Sequence, residues 1–192
     1  LPLRNPIPFA IAPVLPLAWL YARAIAAQRP AFAASLALAW ALALSVSTVA
    51  AAAGSPEAAM RSIWHAGPYR DEMLLWIATG AGPEGAIARF LPRLVAEYAL
   101  TLALSTVTVG AGALFLGSLL LGYMNGYVGW AVAHADPTVT PLAAALLAWP
   151  PWSIARVVSF VLAGTAAAAW GHARIFDRAA YRPRVKPLFV AS

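Results

Sequence analysis

Apolar runs mark the elements of this chain directly, because polar positions are few and clustered. Residues 31–53 run from Ala31-Phe32 to Ala53 without a charge. Twenty-three residues at about 1.5 Å each reach about 34 Å, enough for a hydrocarbon core of about 30 Å. Pro30 suits a first helical position and Gly54 a helix end. Residues 94–133 are nearly continuous in apolar character and too long for one crossing, which needs about 20 residues. Two breaks compete. One is Gly110-Ala111-Gly112; the other is Gly122-Tyr123-Met124-Asn125-Gly126, where Asn-Gly is a turn signal. The first is preferred, since it leaves His134-Ala135-Asp136-Pro137 in a loop rather than inside a crossing, where charge is expensive.

The remaining segments are shorter or polar. Pro8, Pro13 and Pro16 break residues 7–22, so an irregular entry followed by a helix over Ala18–Gln28 is expected, at the membrane interface. Residues 54–91 are polar. Ser55-Pro56-Glu57 looks like a helix start running to about Trp64, and a second helix is expected over Tyr69–Thr79. Residues 138–150 are apolar but too short to cross, and Pro150-Pro151 stops them; a re-entrant or interfacial half-helix is expected there. Residues 152–171 complete the set. The expected fold is all-α: one polytopic transmembrane helical bundle with crossings at 31–53, 92–110, 112–133 and 152–171.

Composition supports that reading and narrows it. The chain has 192 residues, 62% hydrophobic and 10% charged, where soluble domains sit near 45–50% and 25%. The net charge of +6 does not imply a nucleic-acid partner in so apolar a chain. The basic excess lies at the ends: Arg4, Arg23 and Arg29 within 1–30, and Arg174, Arg178, Arg182, Arg184 and Lys186 against Asp177 within 172–192. Residues 54–93 balance Glu57, Asp71, Glu72 and Glu84 with Arg61, Arg70, Arg89 and Arg93. By the positive-inside tendency both termini are expected in the cytoplasm of a cell membrane, with 54–91 outside. Membrane lipids are the expected surroundings, and anionic headgroups suit the basic tail. There is no cysteine, which excludes disulfides, thiolate catalysis and iron–sulfur clusters.

Few residues suggest chemistry. Gly80-Ala81-Gly82-Pro83-Glu84-Gly85 matches a dinucleotide fingerprint only as letters, for no strand precedes it. Gly110, Gly112, Gly117, Gly122, Gly126 and Gly129 punctuate the long apolar stretch. Small residues let helix backbones approach in lipid, either within the chain or at a subunit interface. Arg89, Arg93 and Glu97 follow at helical spacing, so Arg93 and Glu97 are expected to pair at the membrane entry. Arg156 lies inside the last crossing, where it snorkels to the interface or pairs with Asp136 or Glu97. Arg93, Glu97, Asp136 and Arg156 thus make a candidate intramembrane polar network. His65, His134 and His172 are scattered, which argues against haem or a metal site. No cofactor and no catalytic set are expected.

The stretch from about Phe90 to Gly171 resembles the stage II sporulation protein M family of prokaryotic polytopic membrane proteins. Asn125-Gly126-Tyr127-Val128-Gly129 is similar to that family's Asn-Gly-aromatic-x-Gly motif. Pro151, about 25 residues on, and Ala163-Gly164 in the following helix resemble its proline-led motif. The family's Pro-His-Gly and trailing glutamate are replaced here by Pro151-Trp152-Ser153 and Arg156. The resemblance implies work with partner proteins in cell-envelope remodelling and supplies no catalytic residue. The expectation is therefore a non-enzymatic protein acting through helix packing and assembly, as a homo-oligomer or with other membrane subunits, in a scaffold or envelope complex. The competing expectation is a small oligomeric transporter or channel subunit that uses Glu97, Asp136 and Arg156.

Overall fold

A computed structural model describes residues 14–82, 86–149 and 151–175. Among them every regular element is an α-helix: α1 Val14–Ala26, α2 Pro30–Gly54, α3 Pro56–Ser62, α4 Ala66–Thr79, α5 Ile87–Thr108, α6 Ala111–Ala133, α7 Pro141–Ala148 and α8 Pro151–Ile175. Four of these, α2, α5, α6 and α8, are long and apolar enough to cross a membrane. The protein is an all-α, multi-pass membrane protein. The entry before Val14, Pro83–Gly85, Pro150 and the basic tail beyond Ile175 lie outside the described residues.

Helix ends follow local chemistry. α1 begins four residues before the expected Ala18, with Pro16 in its first turn. A proline there forfeits no helical hydrogen bond, since the first N–H groups have no intrahelical partner. Gln28 adopts a left-handed conformation (φ 56) and closes α1: its N–H donates to Ile25 O and that of Arg29 to Ala24 O, both at 2.9 Å. Pro30 and Pro56 open α2 and α3, and Pro141 opens α7 behind the Thr140 cap, whose Oγ1 accepts from Ala143 N at 3.3 Å.

The long apolar stretch turns at Val109-Gly110, not at Asn125-Gly126. Val109 has φ 51 and Gly110 has φ 90. The Gly110 N–H donates to Ser105 O at 3.0 Å, and Thr108 Oγ1 accepts the Gly112 N–H at 2.8 Å. Glycine reaches such a backbone without strain; the preceding β-branched valine is held there by the turn. Asn125 and Gly126 lie inside α6. Helix α8 starts at Pro151 and extends four residues past the expected end at Gly171.

The chain divides into two compact units. The first has its described residues within Ala43–Ala96 and Leu119–Pro151. Its core gathers Met60, Ala66, Tyr69, Met73, Tyr123, Met124, Tyr127 and Val128. The second has its described residues within Phe9–Leu42, Glu97–Ser118 and Trp152–Ser192. Its core is smaller in side-chain volume: Tyr21, Ala24, Ile25, Ala33, Ala37, Ala168 and Ala169. Alanine at such positions lets backbones approach closely, the usual way apolar helices gain packing in lipid.

Candidate functional site

In the first unit the polar side chains gather on α6. Asn125 is 1% exposed. Its Nδ2 donates to Ser45 Oγ on α2 at 2.9 Å, and its Oδ1 accepts from Trp149 Nε1, just past α7, also at 2.9 Å. One amide thus ties three elements. An apolar core would charge heavily for an unpaired amide, so both bonds are needed to keep it there. The same bonds explain why an Asn-Gly pair sits in a helix: the amide is consumed by tertiary partners and does not compete for its own backbone.

Two residues before Asn125, Tyr123 centres an aromatic cluster. The Tyr123 ring meets Tyr69 at 5.0 Å, His65 at 5.4 Å and Trp64 at 6.0 Å between centroids, and Tyr69 meets Tyr127 at 5.8 Å. Edge and tilted contacts of this kind favour the ring quadrupoles. Arg93 adds charge: Nη1 donates to Glu72 Oε2 and Nη2 to the Tyr123 hydroxyl, both at 3.4 Å. Arg93 was expected to pair with Glu97 four residues on. The structure also pairs Arg93 with Glu72 of α4. Further along α6, Arg70 stands over the Trp130 ring at 5.4 Å and pairs with Asp71 at 2.7 Å, while Trp130 stacks on His134 at 4.3 Å.

The glycines of α6 are mostly used within the chain. A Cβ on Gly129 would stand 2.6 Å from Val49 O and 2.5 Å from Ala52 Cβ. On Gly126 it would meet Ile63 Cδ1 at 3.2 Å and Ala66 Cβ at 3.3 Å; on Gly122, only Ile63 Cγ2 at 3.9 Å. In the second unit Gly110 leaves room for the Tyr21 ring, and Gly112 packs on Leu104 at 3.2 Å. Gly117 has nothing within 4 Å.

The second unit has its own polar contacts. The Tyr21 hydroxyl donates to Thr165 Oγ1 at 2.9 Å, and Thr165 Oγ1 donates in turn to Val161 O. Trp40 Nε1 donates to Ser118 Oγ at 3.3 Å. Gly164 admits Ser105, whose Oγ is fully buried and lacks a partner. Burial pushes the Tyr21 phenol up to about 12, against the opposing hydrogen bond to Thr165.

Asp136 was expected in an intramembrane network with Arg93, Glu97 and Arg156. It lies exposed between α6 and α7, where its Oδ1 accepts from Thr138 N at 2.8 Å and Thr138 Oγ1 at 2.6 Å. Those bonds hold its carboxyl below the usual carboxylate range. Glu97 and Arg156 are half-buried on α5 and α8; their carbonyls accept from Thr101 Oγ1 and Ser159 Oγ. Among the described residues no three His, Asp or Glu side chains converge to hold a metal ion.

Sequence reasoning singled out Asn125 and Gly126 but missed Ser45, Glu72, Tyr123 and Trp149. Asn125 lies 80 residues from Ser45, and nothing in the local pattern links them. Compared with protein-family models, curated proteins and solved structures, the chain matches none.

Proposed function

We propose that this protein is a non-enzymatic membrane component that acts by helix assembly, as a scaffold or subunit of a cell-envelope complex. One observation carries the reading. Along α2, Ala31, Ser35, Ala39, Ala43, Ser47 and Ala51 recur at every fourth position, and all six are exposed. The hydroxyls of Ser35 and Ser47 are satisfied by the Ala31 and Leu44 carbonyls, at 3.0 and 3.1 Å. The result is a shallow apolar groove of small residues, the surface by which a second helix approaches closely in lipid. The ridge along i±4 favours a right-handed crossing. Helix α5 is similarly open, with only 11% of its apolar window buried.

The resemblance to the stage II sporulation protein M family supports the same class of work. In the competing transport reading, Asp136 would act from an exposed loop where its carboxylate is already bonded to Thr138. Both termini lie in the cytoplasm on this proposal, since the basic residues flank an even number of crossings.

The test is purification in mild detergent, with particle imaging and mass spectrometry of whatever co-purifies. The expected particle is larger than one chain. The double substitution Ala39→Leu/Ala43→Leu fills the groove without touching a buried residue of α6, and should dissociate it. A monomeric wild type, or a variant particle of unchanged mass, would refute the assembly reading.

A further inference from the structure

We infer that α3 and α4 form a re-entrant helix–turn–helix whose tip, Ile63-Trp64-His65, lies in the hydrocarbon layer, its exposed face covered by lipid acyl chains. By sequence the whole of 54–91 is expected outside. The packing of the first unit argues otherwise. Helix α6 has 23 residues, about 34 Å at about 1.5 Å per residue, so as a crossing it spans the hydrocarbon core from end to end. Gly122 is its middle residue, and Gly126 is about 6 Å further along. These are the glycines against which the tip packs: Ile63 meets both, and Ala66 and Met60 meet Gly126. Tyr69 of α4 packs on Tyr123 and Tyr127. A segment lying outside the core would have to sit beyond about 15 Å from the middle of α6. The tip contacts lie well within that limit.

Two further observations fit a lipid setting. First, unpaired backbone groups are costly in hydrocarbon, and three N–H groups of the turn are paired internally. Across the turn, Ile63 N donates to Ala59 O at 2.9 Å, Ala66 N to Ile63 O at 3.2 Å and Tyr69 N to His65 O at 3.0 Å. The exposed Ser62 hydroxyl donates to the Ala58 carbonyl. Second, large apolar side chains face outward among the polar ones: Trp64 is 50% exposed, Leu74 41%, Leu75 51% and Ile77 64%. Arg61, two residues before Ile63 in the chain, is exposed on α3, and its long stem lets the guanidinium reach the headgroups. Towards the end of α6, Arg70 and Asp71 pair beside Trp130, where charge and indole suit the interface.

The absence of native cysteine allows single-site spin labelling of the whole chain in vesicles. Ser62→Cys and Trp64→Cys place the label at the tip. Both sites are exposed on the chain, so protection there reports lipid or a second protein, and Ser62→Cys is small enough to leave packing intact. Thr138→Cys, exposed between α6 and α7, is the aqueous reference. At both tip sites collisions with dissolved oxygen should exceed those with a water-soluble nickel complex, and at Thr138 the order should reverse. Dominant nickel collisions at both tip sites would overturn the inference in favour of an aqueous tip. Low accessibility to both reagents would overturn it in favour of a second protein covering the face.

Discussion

Replacing Asn125 with leucine keeps the branch point and removes both hydrogen bonds of the buried amide. Trp149 Nε1 and Ser45 Oγ then lose their partner at 2.9 Å. Ser45 can turn its hydroxyl to its own helix, as membrane serines do. The indole N–H has no such escape. Interhelical hydrogen bonds in membrane proteins average about 0.6 kcal/mol and reach about 1.7 kcal/mol, so two bonds correspond to about 1–3 kcal/mol. The assay is reversible unfolding in mixed detergent micelles, with Asn125→Leu and Trp149→Phe measured alone and together. The double-mutant cycle isolates the bond between them. A coupling of about 0.6–1.7 kcal/mol is expected. Additivity within about 0.3 kcal/mol would refute the claim that this amide joins α6 to the end of α7.

Three other outcomes follow from the packing. Gly129→Leu drives a side chain into Val49 O and Ala52; it should cost more than the about 1–3 kcal/mol of ordinary overpacking and abolish the monodisperse peak in size exclusion, whereas Gly117→Leu, with nothing within 4 Å, should leave that peak in place. The Tyr21 phenol is pushed from 10.0 to about 12, so folded and unfolded states are both neutral below about pH 10, the unfolded chain ionises first above it, and stability falls from there towards pH 12 by on the order of 3 kcal/mol. Tyr21→Phe should lose the hydrogen bond to Thr165 and flatten that alkaline fall in a thermal-melt series. Thr140→Ala removes the cap of α7 and should speed amide exchange in its first turn, at a cost of about 0.5–2 kcal/mol; unchanged exchange there would refute the capping role.

Apolar runs, proline starts and glycine ends were enough to determine the four long helices α2, α5, α6 and α8 and the all-α class. A crossing needs little more than length and hydrocarbon-compatible side chains, and both are local properties. Local chemistry also carried the preferred break at Gly110, since two charged or titratable residues inside a crossing would be costly. The limits appear where long-range partners override local preference. Asn125-Gly126 reads as a turn, yet remains helical because Ser45 and Trp149 take up the amide. Arg93 also meets Glu72, 21 residues away on α4, a contact that local spacing does not reveal. The polar segment 54–91 also supplies Ile63 and Ala66 to the glycines of α6, a packing role its charge count does not reveal. Charge count along the chain says how polar a segment is, and only tertiary packing decides which of its faces meets protein, water or lipid.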